Sequence, residues 1–310
     1  MIYTVTFNPS IDYVMFVDNF ETGGLNRTTD TAKFAGGKGI NVSRVLQTLD
    51  TPSTALGFVG GFPGQFIEDT LKTAGIQTAF THVNEDTRIN IKLKSGDETE
   101  INAAGPHITD AQVEALFEQL RKTTADDVII VAGSVPNCLT GSIYSDIAKI
   151  TQQTGAQLVV DAEKSLIEGI LPYRPRFIKP NQHELEQMFN VAIKTDQEVL
   201  KYARQLVTKG AQAVIVSLGG AGAIYVDEKE AYRIQAPQGQ VINTVGSGDS
   251  TVAGMVAGLT QKLTVPEALK LAIASGSATA FNHDLAEYDK IQELRARVTI
   301  QPLYLSLIHI

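Results

Sequence analysis

Val128-Ile129-Ile130-Val131 and, further along, Ala213-Val214-Ile215-Val216 decide the fold class. Neither run alternates with polar residues, so neither has a position to spare for a wet face. A strand that is apolar throughout is covered on both sides, as in a mostly parallel sheet held between helices. Similar short β-branched runs stand at Tyr3–Phe7, Ala55–Val59, Leu158–Asp161, Phe177–Lys179 and Val214–Ser217, with Ala223–Val226 following as a hairpin partner. Between them apolar residues return at helical spacing, as in Val42, Val45, Leu46 and Leu49 and in Val113, Leu116, Phe117 and Leu120. The alternation predicts an α/β protein, a three-layer α/β/α sandwich.

Two regions interrupt it. Residues 11–34 and 87–103 carry strand-like segments (YVMFV, TDTAKF, RINIKL, TEIN) without helices long enough to cover a second face. They predict a small separate sheet standing off the main body as a lid, within one domain over residues 1–302. The closing LYLSLIHI, residues 303–310, is apolar and unlike anything upstream. It reads as a non-native or disordered tail and is left out of the fold.

The 310 residues are 43% hydrophobic, ample for a buried core, and 26 Lys and Arg against 34 Asp and Glu leave a net charge of −8. That balance excludes a broad basic footprint for nucleic acid, so an anionic ligand must be held by a local cluster. Cys138 is the one cysteine, which excludes an intrachain disulfide and fits a reducing compartment. No basic leader precedes an apolar stretch and no apolar run reaches about eighteen residues. The expectation is a cytoplasmic protein that makes no use of a membrane.

Asn243-Thr244-Val245-Gly246-Ser247-Gly248-Asp249-Ser250 opens a helix-like run. Its glycines let the backbone turn tightly with N–H groups free for an anion at the positive end of the helix. Asp249 inside such a cradle reads either as a helix cap or as a base accepting a proton from an attacking hydroxyl. Phe34-Ala35-Gly36-Gly37-Lys38-Gly39-Ile40-Asn41 also opens an amphipathic helix. It is not a P-loop, because Ala32 and Gly39 stand where that motif needs a glycine and a Ser or Thr. Lys38 and Asn41 suit sugar oxygens or a phosphate, and equally suit a solvated helix start.

Asp12, in Asn8-Pro9-Ser10-Ile11-Asp12 after the first strand, is a candidate for paired sugar hydroxyls or a plain turn former. Arg88 and Asn90 fall on one face of a lid strand, a phosphate clamp or an edge-strand charge. Asn181 and Glu184, in Lys179-Pro180-Asn181-Gln182-His183-Glu184, read as a helix cap with its partner, or with Glu184 organising water around Mg²⁺. Ser217-Leu218-Gly219-Gly220-Ala221-Gly222 is a glycine-rich turn that could lie against a nucleotide, without dinucleotide spacing. The five histidines, at 82, 107, 183, 283 and 309, are scattered, and no G-x-S-x-G elbow occurs.

Taken in order, GGKGINV at 36–42 and TVGSGDS at 244–250 resemble the two signatures of the PfkB family of the ribokinase superfamily, over essentially residues 1–302. NPSID, TRIN, TEINAAGP, AGSVP and IKPNQHEL resemble its 1-phosphofructokinase and tagatose-6-phosphate kinase branches. The resemblance implies that Asp249 is the base and that Gly246, Ser247 and Gly248 form an anion hole. It implies that Asp12, Gly37, Lys38, Asn41, Arg88 and Asn90 hold the sugar phosphate. Lys179, Asn181, Glu184, Ser217, Gly219, Gly222 and Asn282 would lie near MgATP, with Glu184 reaching Mg²⁺ through water. The family's lid usually pairs with that of a second subunit, so a homodimer is implied, with Arg27 reaching the neighbouring site. The activity implied is ATP-dependent phosphorylation of fructose 1-phosphate at the C6 hydroxyl, giving fructose 1,6-bisphosphate and ADP. The alternatives are a tagatose-6-phosphate or other hexose-phosphate kinase, and a non-catalytic sugar-phosphate sensor. Asn243 stands where the family often has Asp and Ser247 where it often has Ala, departures that leave the base and glycines in place.

Overall fold

The computed structural model describes residues 1–140 and 142–303. Of the expected tail 303–310, Leu303 is described, its N–H donating to the Ala231 carbonyl (2.8 Å), and residues 304–310 lie outside the described residues. The first half of the chain forms β1 (Ile2–Thr6), β2 (Ser10–Phe16), β3 (Asp30–Gly36), α1 (Lys38–Thr48), β4 (Thr54–Val59), α2 (Gly61–Thr73), β5 (Gln77–Thr78), β6 (Thr81–His82), β7 (Arg88–Ser95), β8 (Asp97–Ile101), α3 (Asp110–Leu120) and β9 (Val128–Ala132). The second half adds α4 (Ser142–Thr154), β10 (Gln157–Asp161), α5 (Lys164–Ile170), β11 (Phe177–Ile178), α6 (Gln182–Phe189), α7 (Asp196–Thr208), β12 (Ala213–Ser217), β13 (Ala223–Asp227), β14 (Ala231–Gln235), α8 (Ser247–Thr260), α9 (Val265–Ala280), α10 (Tyr288–Arg295) and β15 (Thr299–Pro302).

The main sheet runs β15-β14-β13-β12-β11-β10-β9-β1-β4-β5, with β6 also on β4. From β12 to β4 every pairing is parallel, and β13, β14 and β15 continue it antiparallel. Its register explains the unbroken apolar runs. Leu56, Val5, Val131, Val160, Ile178, Val214 and Val226 form one row across seven strands and pack under one helical layer. Ile130, Val159 and Phe177 form the next row, which faces the opposite layer built from α1, α8, α9 and α10. Consecutive residues of VIIV thus belong to two cores, each side chain contributing about 1.5–3 kcal/mol by burial.

In that second layer α8 is buried on most of its surface, from Asp249 through Gly258. It lies very close to α9: a methyl group on Gly254 would sit 2.7 Å from the Cα of Ala272, and one on Gly258 2.8 Å from the Cα of Ala268.

The two stretches that break the alternation carry a second sheet, ordered β3-β2-β7-β8. Here β2 pairs parallel with β7, while β7 and β8 form a hairpin. Ile11 and Ala35 at its foot join Ala55 and Val59 of the main sheet and Ile67 and Leu71 of α2 in a third small core. That core fixes the near end of the sheet, while β8 is exposed at every residue.

Candidate active site

In the main sheet β1 has β4 on one side and β9 on the other, so the chain order reverses there. A crevice opens at the C-terminal ends of the strands at such a point. The cleft found there has a volume of about 700 Å³. Its floor comes from the strand ends and the residues just beyond them: Thr6 and Asn8, Gly133 and Ser134, Asp161, Lys179 and Ser217. The second sheet contributes Ser10, Asp12, Arg88 and Asn90, and the starts of α1 and α8 contribute Gly37, Lys38, Asn41 and Gly246 to Asp249.

α8 begins after Gly246, whose φ of +80° is the left-handed conformation that glycine adopts without penalty. The turn leaves the amides of Gly246, Gly248 and Asp249 with no partner among the described residues, while the Ser247 amide donates to the Thr244 carbonyl (3.2 Å). Of the three residues expected at an anion hole, Gly246 and Gly248 have free amides here and Ser247 has a bonded one, while the Asp249 amide is free as well. The Ser247 hydroxyl is itself buried and without a partner among the described residues. So are Thr6 Oγ1, Asn8 Oδ1 and Arg88 Nε, all on cleft-lining residues. Buried polar atoms are almost always bonded, and a cluster of exceptions marks where a ligand's polar atoms complete the set.

Asp249 is 5% exposed and accepts a hydrogen bond from Asn41 Nδ2 (2.9 Å). Burial pushes its carboxyl up to about 6, with the like charge of Asp161 adding to the rise, while the Asn41 amide, Lys38 and Lys179 pull it back. A carboxylate poised there is ionised at neutral pH yet basic enough to take a proton. Burial works against the charge of Lys38, but Asp161, Asp249 and Glu184 outweigh it and hold its pKa above the ordinary value.

On the second sheet Asp12 Oδ1 accepts from Ser10 Oγ (2.8 Å) and Asn90 Nδ2 (3.1 Å), which fixes its carboxylate. Arg88 donates from Nη2 to the Asn8 carbonyl (3.0 Å) and from Nη1 to that of Ala103 (3.2 Å). Its guanidinium is thus pinned where the second sheet joins the first. At the other end Asn181 and Glu184 form a reciprocal cap on α6, each backbone N–H donating 2.8 Å to the other's side chain. Both also line the cleft, beside Gly219 and Gly222 of the turn after β12.

Two expected residues do not line this chain's cleft, which for Arg27 is what the resemblance implied. Arg27 is exposed in the connection between β2 and β3, outside this chain's cleft. Asn282 is outside it too: its amide donates to the Leu285 carbonyl (3.2 Å) and its Oδ1 accepts from the His283 N–H (2.9 Å), so its turn uses both polar ends. Phe281 takes that place in the lining. Sequence reading missed Asp161 and an apolar wall that includes Ala236, Pro237, Val241, Val245 and Phe281. Val241 and Val245 are 58% and 43% exposed and stand at the cleft.

These features suit a nucleoside triphosphate: free amides and a lysine for phosphates, a glycine turn, and an apolar wall for a base. Among the described residues no three His, Cys, Asp or Glu side chains gather into a metal cage. Mg²⁺ bound mainly by phosphates and water needs no such cage, and Glu184 lines the cleft.

A model of the pfkB carbohydrate kinase family matches residues 5–290. The chain belongs to that family. A carbohydrate kinase takes its phosphoryl group from ATP, in keeping with the cradle and wall just described. The chain is 44% identical to the 1-phosphofructokinase of Bacillus subtilis over 98% of its own length and all of the relative's. It is 36% identical to a tagatose-6-phosphate kinase of Staphylococcus epidermidis, covering 97% of this chain and 99% of that one. Among solved structures, a Staphylococcus aureus chain assigned as a phosphofructokinase superposes with a TM-score of 0.91 at 62% identity, over 98% of this kinase and 99% of the other.

Proposed function

We propose that this kinase transfers the γ-phosphoryl group of ATP to the C6 hydroxyl of fructose 1-phosphate, giving fructose 1,6-bisphosphate and ADP. One observation carries the reading: a buried, basic carboxylate, Asp249, stands at a helix start whose amides are free, with the cations Lys38 and Arg88 in the same cleft. Asp12, Asn41 and Asn90 orient the sugar, and Lys38 and Arg88 hold its phosphate. Asp249 takes the proton as the oxygen–phosphorus bond forms and the bond to the β-phosphate oxygen breaks. The amides of Gly246, Gly248 and Asp249 stabilise charge on the group in transit, and the second sheet excludes water. Glu184 would hold Mg²⁺ through water, and the ion would supply positive charge for the phosphates. The 1-phosphofructokinase relative supports fructose 1-phosphate as acceptor, and the tagatose-6-phosphate kinase relative favours the second reading, a 6-phosphate.

Initial rates of ADP formation with fructose 1-phosphate, tagatose 6-phosphate, fructose 6-phosphate and fructose decide the acceptor. The expected order puts fructose 1-phosphate first. Its kcat/KM should exceed that of fructose by roughly 10²- to 10⁴-fold, since each charge-assisted contact contributes about 1.5–3 kcal/mol. In Arg88→Leu that margin should shrink by roughly ten- to a hundredfold. A leading 6-phosphate moves the assignment to the second reading, and no turnover with any acceptor favours the sensor.

The second sheet also supports a homodimer. Leu25 is 81% exposed, Ile101 59% and Phe20 47%, a set of bare apolar groups on and around this sheet that a partner's sheet would cover. Arg27 would then lie near the partner's cleft. Sedimentation should give twice the mass of one chain, and Leu25→Asp with Ile101→Asp should halve it; a native monomer defeats the dimer. The reducing compartment suggested by the lone cysteine makes the cytoplasm its place. No helix among the described residues is long and apolar enough to cross a membrane.

A further inference from the structure

Asp161 ends β10 on the cleft floor and is 2% exposed. Its carboxylate lies between two lysines of different elements: Oδ2 is 3.7 Å from Nζ of Lys38, which opens α1, and Oδ1 is 3.4 Å from Nζ of Lys179, just after β11. Removing a carboxylate from water costs several kcal/mol, and such buried ion groups add little net stability over apolar packing. Stability alone is thus a poor reason for the arrangement. Geometry is a better one, because two ammonium groups within reach of one carboxylate would repel each other without it.

We propose that Asp161 is a positioning residue that ties Lys38, on the sugar side, to Lys179, on the nucleotide side, in the cleft that also holds Asp249. This rests on the reading of Asp249 as the base. The charged groups around Asp249 are Lys38 from α1, Lys179 from beyond β11 and Asp161 from β10, with the neutral Asn41 amide bonded to it and Glu184 of α6 acting on Lys38. Asp161 is the one whose charge opposes ionisation of the base. One side chain therefore both orders the two substrate-facing cations and keeps the base from becoming too weak.

The test is the pH profile of kcat/KM together with both KM values, in wild type, Asp161→Asn, Asp161→Ser and Asp161→Glu, with folding checked by thermal melting. The substrate phosphate titrates alike in all four, so differences belong to the protein. Either neutral variant should move the acid limb from near 6 toward the ordinary aspartate value of 3.8, and raise KM for sugar phosphate and for ATP, each about tenfold. Asp161→Glu, which keeps the charge, should leave the limb at its wild-type position. A folded neutral variant whose limb stays put, or in which only one KM rises, overturns the proposal. Having both neutral replacements keeps the test open if one fails to fold. Asp249→Asn separates the two readings: near-normal turnover there defeats the base, whereas an unmoved limb in Asp161→Asn beside an inactive Asp249→Asn defeats only the role of Asp161.

Discussion

Asp249→Asn is expected to lose about two to four orders of magnitude in kcat while gaining stability at neutral pH. The loss follows from removing the proton acceptor while Asn41 Nδ2 can still donate to the new amide oxygen, so that the site keeps its shape and ATP binding persists. The gain follows from linkage. The folded carboxyl titrates at about 6 against an ordinary 3.8, so the fold favours its protonated form. That contribution is fully present below pH 3.8 and is lost as pH rises through 6. The ionised form is then disfavoured by on the order of 3 kcal/mol, which the asparagine avoids. Denaturant unfolding at pH 8 and at pH 4, alongside single-turnover rates, checks both halves. Equal stabilities of the two proteins at pH 8 would show that burial of the charge is relieved, and turnover near wild type would sink the base assignment.

Gly246→Ala carries the second large effect. At φ +80° any L-residue is strained by about 1–2 kcal/mol, and the added methyl group would sit 2.7 Å from Leu285 Cδ2. Either the helix start shifts or Leu285 does. A shifted start moves the free amides of Gly248 and Asp249, and each misplaced donor is worth roughly 10²–10³ in kcat. Gly96→Ala is the control: it has a φ of +73° in the β7–β8 hairpin, with nothing within 4 Å of the added methyl. Both variants should melt lower, and only Gly246→Ala should lose turnover. Equal kcat in the two would mean that the amides do not stabilise the transferred group.

Much of this architecture is legible because the sheet is covered on both faces. VIIV and AVIV have no polar positions since alternate residues enter separate cores, and that pattern needs no knowledge of pairing. The two glycine segments are legible because a tight turn at a helix start constrains composition. Less legible are β5 and β6, two residues each, whose strand character comes from β4 alone. β14 and β15 extend the sheet beyond the expected hairpin, their pairing set by chain brought back from a distant helix.

Of the residues that line the cleft, those with unusual local chemistry stand out in the sequence and those marked only by position do not. Asp161 is an ordinary residue at the end of an ordinary strand until two lysines converge on it. Val241 and Phe281 carry no mark in the sequence, and only the tertiary arrangement brings them to the cleft. Asn282 differs in another way: its amide suits a nucleotide, but it bonds within its own turn and does not line the cleft.

The packing of α8 on α9 also bears on synthesis. Asp249 rides on a helix buried along most of its length, and much of that burial is against α9, which the ribosome makes afterwards. Every other side chain in the proposed phosphate and sugar subsites precedes α8 in the chain. The ribosome therefore makes the side chains proposed to hold sugar phosphate before the proposed base, and the helix that carries that base gains its full cover only when α9 has left the exit tunnel.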